Sequence, residues 1–295
     1  MKRILWLVLA AVLLTVSAAP AEDALKLPLD LSPGMPLVKS NYLTDWHYKD
    51  PTIEMTAREE KAEDAVYWIA EVKIGDPTQL RTMPSNSFSY SSTANGSRLS
   101  RRANAVLSCD GDFWHREVKW KGNYVLRQGQ LYMYELTGNS DLLLIDEDGD
   151  FHIIHKATAD DAPLPEEEGG KVMYKGKQIY NGFCFGPTLV EGGEALIIEP
   201  DEHMITEKKV NRLAICQMGK LEYAVVCTYT KEKGMTMQEF AYLLEALGAI
   251  TAYNLDGGNS AMMFTGSRMI NRNNSVREIA DIIYFASAWP EGGNP

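Results

Sequence analysis

Short apolar or alternating segments run along most of this chain, and they predict strands with one buried face. In the clearest segment, Val66, Trp68, Ala70 and Val72 share one face until Asp76-Pro77 ends the run. Segments 85–100 and 160–170 are polar or carry proline and glycine, so they predict loops. Further strands are predicted at 103–107, 124–127, 131–134, 142–145, 151–154, 183–190, 213–216, 223–228, 249–253, 261–264 and 279–286.

One segment, Met237–Leu247, has the pattern of a helix. Thr236 and Glu239 have the spacing of a capping box, and Gly248 follows as a stop signal. The apolar stripe that such a helix would bury consists of Phe240, Leu243, Leu244 and Leu247. Many strands and few helices predict an α+β (mixed α/β) fold, with a strand-rich mixed sheet in a single catalytic-type domain.

The first residues predict an export signal. Lys2 and Arg3 precede the apolar run Ile4–Val16, and Ala19-Pro20-Ala21 resembles a cleavage site. We expect cleavage after Ala21 and a secreted or extracytoplasmic product. An uncleaved membrane anchor is the alternative, although no later segment is long and apolar enough to cross a bilayer.

The remaining chain divides by pattern. Residues 22–63 include Pro28, Pro33 and Pro36 and have no sustained period, so we expect an irregular N-terminal segment. Residues 64–286 hold the predicted elements and form the domain, and 287–295 form a C-terminal tail. The formal net charge of −11 argues against nucleic acid as a partner but allows a small anionic substrate in a local basic pocket. We expect buried thiols rather than zinc ligands at Cys109, Cys184, Cys216 and Cys227.

Two polar clusters suggest metal sites without fitting one. Residues 146–150 read Asp-Glu-Asp-Gly-Asp, but the glycine comes too early for an EF-hand loop, so a hairpin turn is expected. His152 and His155 are three apart on a predicted strand and therefore face opposite sides. The sequence indicates no cofactor and leaves a metal requirement open.

The segment Asn254–Ser260 is the most informative in the chain. It places Asp256 after a buried strand and before Gly257 and Gly258, which allow positive φ and close approach of another molecule. Successive N–H groups in such a turn can bind an anion. The alternative is a tight turn in which Asp256 caps only its own backbone.

An ordered set of motifs extends over about residues 64–286. The motifs are Asp76-Pro77, Asp110-Gly111-Asp112-Phe113, Phe185-Gly186-Pro187, Asn211-Arg212, Asn254-Leu255-Asp256-Gly257-Gly258-Asn259-Ser260, Asn271, Arg277 and Asp281-Ile282-Ile283-Tyr284. In this order they resemble the phosphodiester glycosidase family, whose bacterial members are often labelled exopolysaccharide-related. The family usually has Asn where Asp110 stands and a third glycine where Asn259 stands.

The resemblance implies cleavage of a sugar C1–O bond with a phosphate monoester as leaving group, in a cell-wall, capsule or other exported glycan. Such a leaving group needs little general-acid help, so a carboxylate and phosphate-binding cations remain the main requirements. Asp256, Arg277 and Asp112 are the candidate catalytic residues. The candidate substrate-binding residues are Asp110, Arg212, Asn254, Gly257, Gly258, Asn259, Ser260 and Asn271.

Each assignment has a structural alternative. Arg277 could pair with Asp281, and Arg212 could lie on the surface at a strand start. Asp110 could shape a turn through Gly111. Asn254 and Asn271 could hold backbone, and His115 is expected to be an ordinary surface histidine.

Two other functions fit parts of the pattern. The altered Asp110 and Asn259 positions would suit a non-catalytic cell-wall or polysaccharide-binding protein on the same fold. Asp110, Asp112 and Asp256 would suit a metal-dependent phosphodiesterase, although suitably spaced histidines are absent from the sequence.

Overall fold

The computed structural model describes residues 25–62, 65–89, 92–113, 122–229, 234–271 and 275–290. The predicted leader, His115 and residues 291–295 lie outside these ranges. Within the described ranges, no helix has the length and apolar character that a membrane span requires.

Twenty strands and two α-helices make up the described fold. The helices are α1 (Gly96–Arg102) and α2 (Met237–Ala246). The strands, in chain order, are β1 (Tyr42–Thr44), β2 (His47–Asp50), β3 (Ile53–Ala62), β4 (Ala65–Ile74), β5 (Leu80–Pro84), β6 (Ala105–Asp110), β7 (Gly122–Arg127), β8 (Gln130–Leu136), β9 (Leu142–Asp146), β10 (Phe151–Ile154), β11 (Met173–Tyr174), β12 (Lys177–Cys184), β13 (Thr188–Glu191), β14 (Glu194–Ala195), β15 (Leu213–Gly219), β16 (Glu222–Thr228), β17 (Thr251–Leu255), β18 (Met263–Thr265), β19 (Arg268–Met269) and β20 (Asp281–Ala286).

The strands form three sheets. The largest has nine strands in the order β1-β2-β3-β4-β16-β15-β17-β13-β14. A six-stranded sheet runs β10-β9-β12-β7-β8 with β11 beside β12, and a five-stranded sheet runs β19-β18-β6-β20-β5. Every pairing described is antiparallel. The predicted strand-rich fold with few helices is confirmed.

Helix α2 forms as its sequence predicts. The Thr236 hydroxyl accepts a hydrogen bond from Glu239 N at 3.2 Å, and the Glu239 carboxylate accepts one from Thr236 N at 2.8 Å. Its buried face, which includes Phe240 and Leu244, packs against β13 and β14, where each such side chain contributes about 1.5–3 kcal/mol. Gly248, at φ +86°, then turns the chain towards β17.

Two expectations about irregular segments are wrong. Residues 42–62 form β1, β2 and β3, and β3 pairs with β4 along its whole length. In β3, Ile53, Met55 and Ala57 are buried on one face, so an alternating signal was present after the proline-bearing stretch. Within the predicted loop 85–100, α1 begins at Gly96 because the Asn95 side chain caps it by accepting from Arg98 N at 3.2 Å.

The predicted hairpin of β15 and β16 is confirmed, with Cys216 opposite Ala224 and Cys227 opposite Leu213. All four cysteines are buried thiols, as expected. The hairpin lies beside β17, so the largest core cluster surrounds the strand that leads into the Asn254–Ser260 segment.

Candidate active site

Strand β17, in the interior of the nine-stranded sheet, leads into the candidate site. It is buried along its length between β15 and β13. The Tyr253 hydroxyl donates to Asp141 O at 2.6 Å, and Asn254 Nδ2 donates to Gly186 O at 2.7 Å. These bonds fix the end of the strand, so Asp256, which follows it directly, is held in one defined position.

The two glycines after Asp256 are required for different reasons, Gly257 by a close backbone approach and Gly258 by its positive φ. A Cβ on Gly257 would lie 2.7 Å from Asn211 O, and Gly258 N donates to that same oxygen at 2.8 Å. Gly258 has a φ of +57°, which favours glycine. The turn closes with Ser260 N donating to Gly257 O at 2.9 Å. This turn therefore presents main chain, rather than side chains, beside the carboxylate.

Arg277 completes the site from a different part of the chain. Its Nη2 donates to Asp256 Oδ2, and its Nε donates to Ser260 Oγ at 2.5 Å. Its main-chain N donates to Asn259 O at 3.3 Å, and its guanidinium lies 5.3 Å from the centre of the Phe113 ring. The alternative pairing of Arg277 with Asp281 is therefore wrong.

A cavity of about 380 Å³ opens over these groups. The Asp256 side chain is 15% exposed and that of Arg277 is 47% exposed, so both can meet a ligand. Asn259 and the two glycines also line this space. The other walls include Phe113, Phe185, His203, Met204 and Ile205.

Asp112 lies behind the cavity in a buried ionic cluster. Its Oδ2 accepts from Cys184 N at 2.9 Å and is 3.7 Å from Arg127 Nη2. Arg127 also donates through Nε and Nη2 to Asp281 Oδ2, both at 3.4 Å. Because Arg127 and Asp281 are fully buried, this cluster fixes the ends of β6, β7 and β20 against one another.

Asp110 is also buried, and its Oδ1 accepts from Gly111 N at 2.9 Å. Burial, reinforced by the negative charges of Asp256 and Asp281, raises the pKa of Asp110 well above its usual value. Burial likewise raises the pKa of Asp256, although Arg277 and Ser260 oppose the shift. Both shifts favour the protonated carboxyl group, and the shift of Asp110 is the larger.

Of these two carboxyl groups, Asp256 ionises more readily. Arg277 donates to Asp256 and stabilises its ionised form, whereas Asp110 accepts its one described bond from a neutral N–H. We therefore assign the proton to Asp110 when the pair carries a single charge.

Arg212 lies in the cavity wall, but its guanidinium is not placed to bind phosphate. It is 3% exposed, so the alternative of a surface residue is also wrong. Its Nε donates to Met235 O at 3.1 Å, and its Nη2 donates to Ile205 O at 2.8 Å and Lys208 O at 2.9 Å. The guanidinium thus holds the loop that forms one side of the cavity.

The side chains of Asn254 and Asn271 form hydrogen bonds to the main chain, which was the alternative to substrate binding. Asn254 does so through Gly186 O. Asn271 donates through Nδ2 to Ala261 O at 2.7 Å and accepts from Met263 N at 3.1 Å. Asn271 therefore fixes the chain that follows the glycine turn and is not part of the cavity lining.

The sequence reasoning missed two residues of the site region. His203 lines the cavity, but it lies in a segment without a predicted element, so no pattern singled it out. Arg127 is the last residue of a predicted strand, and no motif around it indicated a role in the site. Phe113 and Phe185 were within the quoted motifs but had been given no role.

Among the described residues, the carboxylate cluster with metal-like spacing is Asp146, Asp148 and Asp150. Lys177 Nζ lies 3.3, 2.7 and 3.7 Å from these three side chains, so an ammonium already pairs with each carboxylate of the cluster. The expected hairpin of β9 and β10 is confirmed there. Asp110, Asp112 and Asp256 do not form such a group in the described part of the chain.

Comparisons with known proteins agree with this picture. The sequence model of the family described as phosphodiester glycosidase matches residues 103–286. No curated protein matches this sequence.

Two solved structures show the same fold. The zebrafish N-acetylglucosamine-1-phosphodiester alpha-N-acetylglucosaminidase catalytic domain, auto-inhibited by its pro-peptide, has a TM-score of 0.59 at 13% identity, covering 90% of this chain and 99% of that one. A hypothetical protein from Synechocystis has a TM-score of 0.51 at 15% identity. The match covers 79% of this chain and 62% of that protein.

Proposed function

This chain belongs to the phosphodiester glycosidase family, and on that basis we propose that it is an exported hydrolase of a cell-surface or extracellular glycan. The bond cleaved is the sugar C1–O bond of a glycosyl-1-phosphodiester. The products are a free sugar and a phosphate monoester. The predicted leader supports the export that this proposal includes.

The contact between Asp256 and Arg277 at the cavity is the observation that carries the proposal. The reaction needs a carboxylate near the developing oxocarbenium-like centre and a cation on the departing phosphate. An aspartate and a half-exposed arginine in contact supply both within one cavity. Guanidinium suits the second role because its N–H groups match phosphate oxygens in pairs.

In this proposal Asp256 supports the charge at C1 or activates the attacking water. Arg277 moves part of its hydrogen bonding from Asp256 to the phosphate when substrate binds. A phosphate monoester leaves as a stabilised anion, so no strong general acid is required. Asp112 acts from behind the cavity by holding the ends of its strands through Arg127.

Asp110 has a separate role in the proposal. While it keeps its proton, it places no second negative charge beside the incoming phosphate. It can therefore serve where the family usually has a neutral amide.

The test is to incubate the mature chain with α-linked sugar-1-phosphodiesters, including the N-acetylglucosamine compound, and to follow products by mass spectrometry. We expect free sugar and phosphomonoester from wild type and none above background from Asp256→Asn. Asp45→Asn is the matched control, because Asp45 forms an exposed pair with Arg268 at 2.8 Å, and Arg268 lies 4.7 Å from the Trp46 ring centre.

Other outcomes separate the alternatives. Release of sugar-1-phosphate would mean P–O cleavage, and its loss after exhaustive chelation would favour a metal-dependent phosphodiesterase. Binding of saccharide without turnover, with Asp256→Asn binding equally well, would favour a binding protein on the same fold.

A further inference from the structure

Another cavity, of about 650 Å³, shares no lining residue with the cavity over Asp256. Its walls come from residues 29–31, from the turn between β7 and β8 and from residues 165–171, and Gln178 of β12 completes the lining. Small-molecule sites have volumes of about 300–1,000 Å³. This space is therefore large enough for a ligand of its own, separate from the candidate active site.

Gln178 lines this cavity with a side-chain amide that the fold does not use. The residue is 9% exposed, and its main-chain N donates to Glu147 Oε1 at 3.2 Å. Among the described residues, its side-chain amide has no hydrogen-bond partner, yet the amide atoms keep accessible surface. A glutamine amide can form up to four hydrogen bonds. A largely buried amide that forms none within the protein, but can be reached from a cavity, points to a ligand that bonds it.

The turn beside Gln178 is fixed before any ligand binds. Gln128 has a φ of +44° and Gly129 a φ of +79°, as a two-residue turn between antiparallel strands requires. The Gln128 side chain donates to Thr82 O at 2.8 Å and accepts from Thr82 Oγ1 at 2.6 Å, and Gly129 N donates to Tyr180 O at 2.7 Å. A Cβ on Gly129 would lie 3.3 Å from Gln178 Nε2, so the glycine leaves that amide accessible.

The wall formed by residues 29–31 is held by a buried cation. Arg81 is fully buried and donates to Pro28 O at 2.9 Å, Asp30 O at 2.8 Å and Ser32 O at 3.0 Å. A site whose groups are already ordered loses less conformational entropy when it binds a ligand. Two walls of the cavity are therefore preformed.

The uncharged part of the lining suits a ring with hydroxyl groups at its edge and C–H groups on its face. Gln130 and Gln178 offer amide donors and acceptors, and Tyr132 Oη donates to Gln130 Oε1 at 3.0 Å. Leu29 and the Tyr132 ring add apolar surface, and that ring lies 5.3 Å from the ring of Phe88, centre to centre. Amides beside apolar surface provide what a saccharide needs on its two sides.

The charged part of the lining is balanced within the protein. Asp30 Oδ1 lies 3.5 Å from Arg81 Nη2, and Arg127 belongs to the buried ionic cluster described above. Glu168 and Lys171, which also line the cavity, carry opposite charges. Neither an anion nor a cation meets an excess of opposite charge here, so the lining favours an uncharged ligand.

We propose that this cavity is a non-catalytic binding site for an uncharged saccharide unit, with the Gln178 amide as its main hydrogen-bonding group. Its use rests on the proposed function. A glycan that binds here while one of its phosphodiester bonds lies in the cavity over Asp256 is held at two points, which raises the effective concentration of that bond. A short substrate that occupies only the cavity over Asp256 gains nothing from this site.

Calorimetry with phosphate-free oligosaccharides of glucose, galactose, mannose and N-acetylglucosamine tests the site without a catalytic step. We expect at least one of them to bind wild type, and Gln178→Leu to weaken that binding about three- to tenfold, the worth of one net hydrogen bond. The melting temperature of Gln178→Leu should not fall, because the leucine replaces an amide that has no partner in the described chain. Thr251→Val is the matched control, since Thr251 is 8% exposed and lines neither this cavity nor the one over Asp256.

Kinetics separates failure of this site from failure of the proposed function. Where wild type cleaves a polysaccharide of hexoses joined by sugar-1-phosphodiester bonds, Gln178→Leu should raise its KM about three- to tenfold and leave kcat/KM for the methyl sugar-1-phosphodiester unchanged. Saccharide binding that depends on Gln178 upholds the site even if no phosphodiester is cleaved. Failure of every saccharide to bind wild type, equal binding by Gln178→Leu, or a Gln178→Leu protein that loses stability together with binding would each overturn it.

Discussion

Arg277 reaches back along the chain and donates a hydrogen bond to the carboxylate of Asp256, 21 positions earlier. The contact joins the end of a central strand to a loop that precedes β20. Neither residue alone indicates chemistry, since aspartates shape turns and arginines form surface pairs. Together at a cavity they provide a carboxylate and a phosphate-binding cation, and the first prediction follows from that arrangement.

Replacing Arg277 with lysine should lower kcat/KM for a sugar-1-phosphodiester about a hundredfold or more, the usual cost of losing a donor to developing charge. Lysine keeps the positive charge but cannot donate to Asp256, Ser260 and a phosphate oxygen in the geometry of a guanidinium. Steady-state kinetics measures the effect. Arg268→Lys is the matched control, and equal losses in the two variants would contradict the assignment of Arg277.

Gly257→Ala should unfold at lower urea concentration than wild type, with a loss of about 1–3 kcal/mol. The added Cβ would lie 2.7 Å from Asn211 O, a main-chain atom that cannot rotate away. The φ of Gly257 is −101°, so the cost comes from this collision rather than from backbone strain. Gly219→Ala is the control, because its nearest neighbour, at 3.2 Å, is the flexible Glu222 side chain. An unchanged midpoint for Gly257→Ala would mean that the turn relaxes freely.

The stability of the protein should fall between about pH 4 and pH 6 because of Asp281. Burial raises the pKa of Asp281 to about 6, although Arg127 opposes the shift. A carboxyl group with a raised pKa binds more protons in the folded than in the unfolded state between the two pKa values. The free energy of unfolding therefore decreases as the pH rises through this window, by an amount on the order of 2–3 kcal/mol.

Asp281→Asn should make that slope shallower, because an amide does not titrate, while the raised pKa values of Asp110 and Asp256 maintain the remainder. Urea unfolding at pH 4, 5, 6 and 7 gives the slope for each variant, whatever the overall stability. Asp45→Asn, at an exposed position, should keep the wild-type slope. A slope in Asp281→Asn that equals the wild-type slope would assign the whole effect to other groups.

Local patterns predicted the elements that carry the site. The alternating and apolar runs gave the hairpin of β15 and β16, and the capping box of Thr236 and Glu239 gave α2. The glycine turn after β17 was recognisable because Gly257 and Gly258 follow a buried strand and a carboxylate. These features depend on neighbours in sequence, which is why the sequence alone indicated them.

Long-range pairing could not be predicted in the same way. Arg127 contacts Asp281 across 154 positions, and Asp112 N donates to Asp281 across 169. Arg212 has the same side chain as Arg277, yet main-chain carbonyls of a loop surround it. Which arginine remains exposed to a ligand depends on how the sheets and loops pack. No local pattern in the sequence indicates that packing.

The protonation of Asp110 gives the last prediction. Burial and the nearby charges of Asp256 and Asp281 raise the pKa of Asp110 well above its usual value, so it stays neutral at low pH and ionises as the pH rises. Ionisation would add negative charge beside the phosphate site and weaken substrate binding.

Asp110→Asn should therefore stay active and lose the alkaline decline that Asp110 imposes on kcat/KM. The amide oxygen can accept the bond from Gly111 N that Asp110 Oδ1 accepts at 2.9 Å, so the turn is preserved while the titration is removed. Profiles of kcat/KM against pH for both proteins provide the measurement. Asp76→Asn is the control, since Asp76 is buried and caps a turn by accepting from Thr78 N at 3.0 Å. An alkaline limb that is identical in wild type and Asp110→Asn would show that another group titrates there, and inactivity of a folded Asp110→Asn would show that the reaction requires the carboxyl group itself.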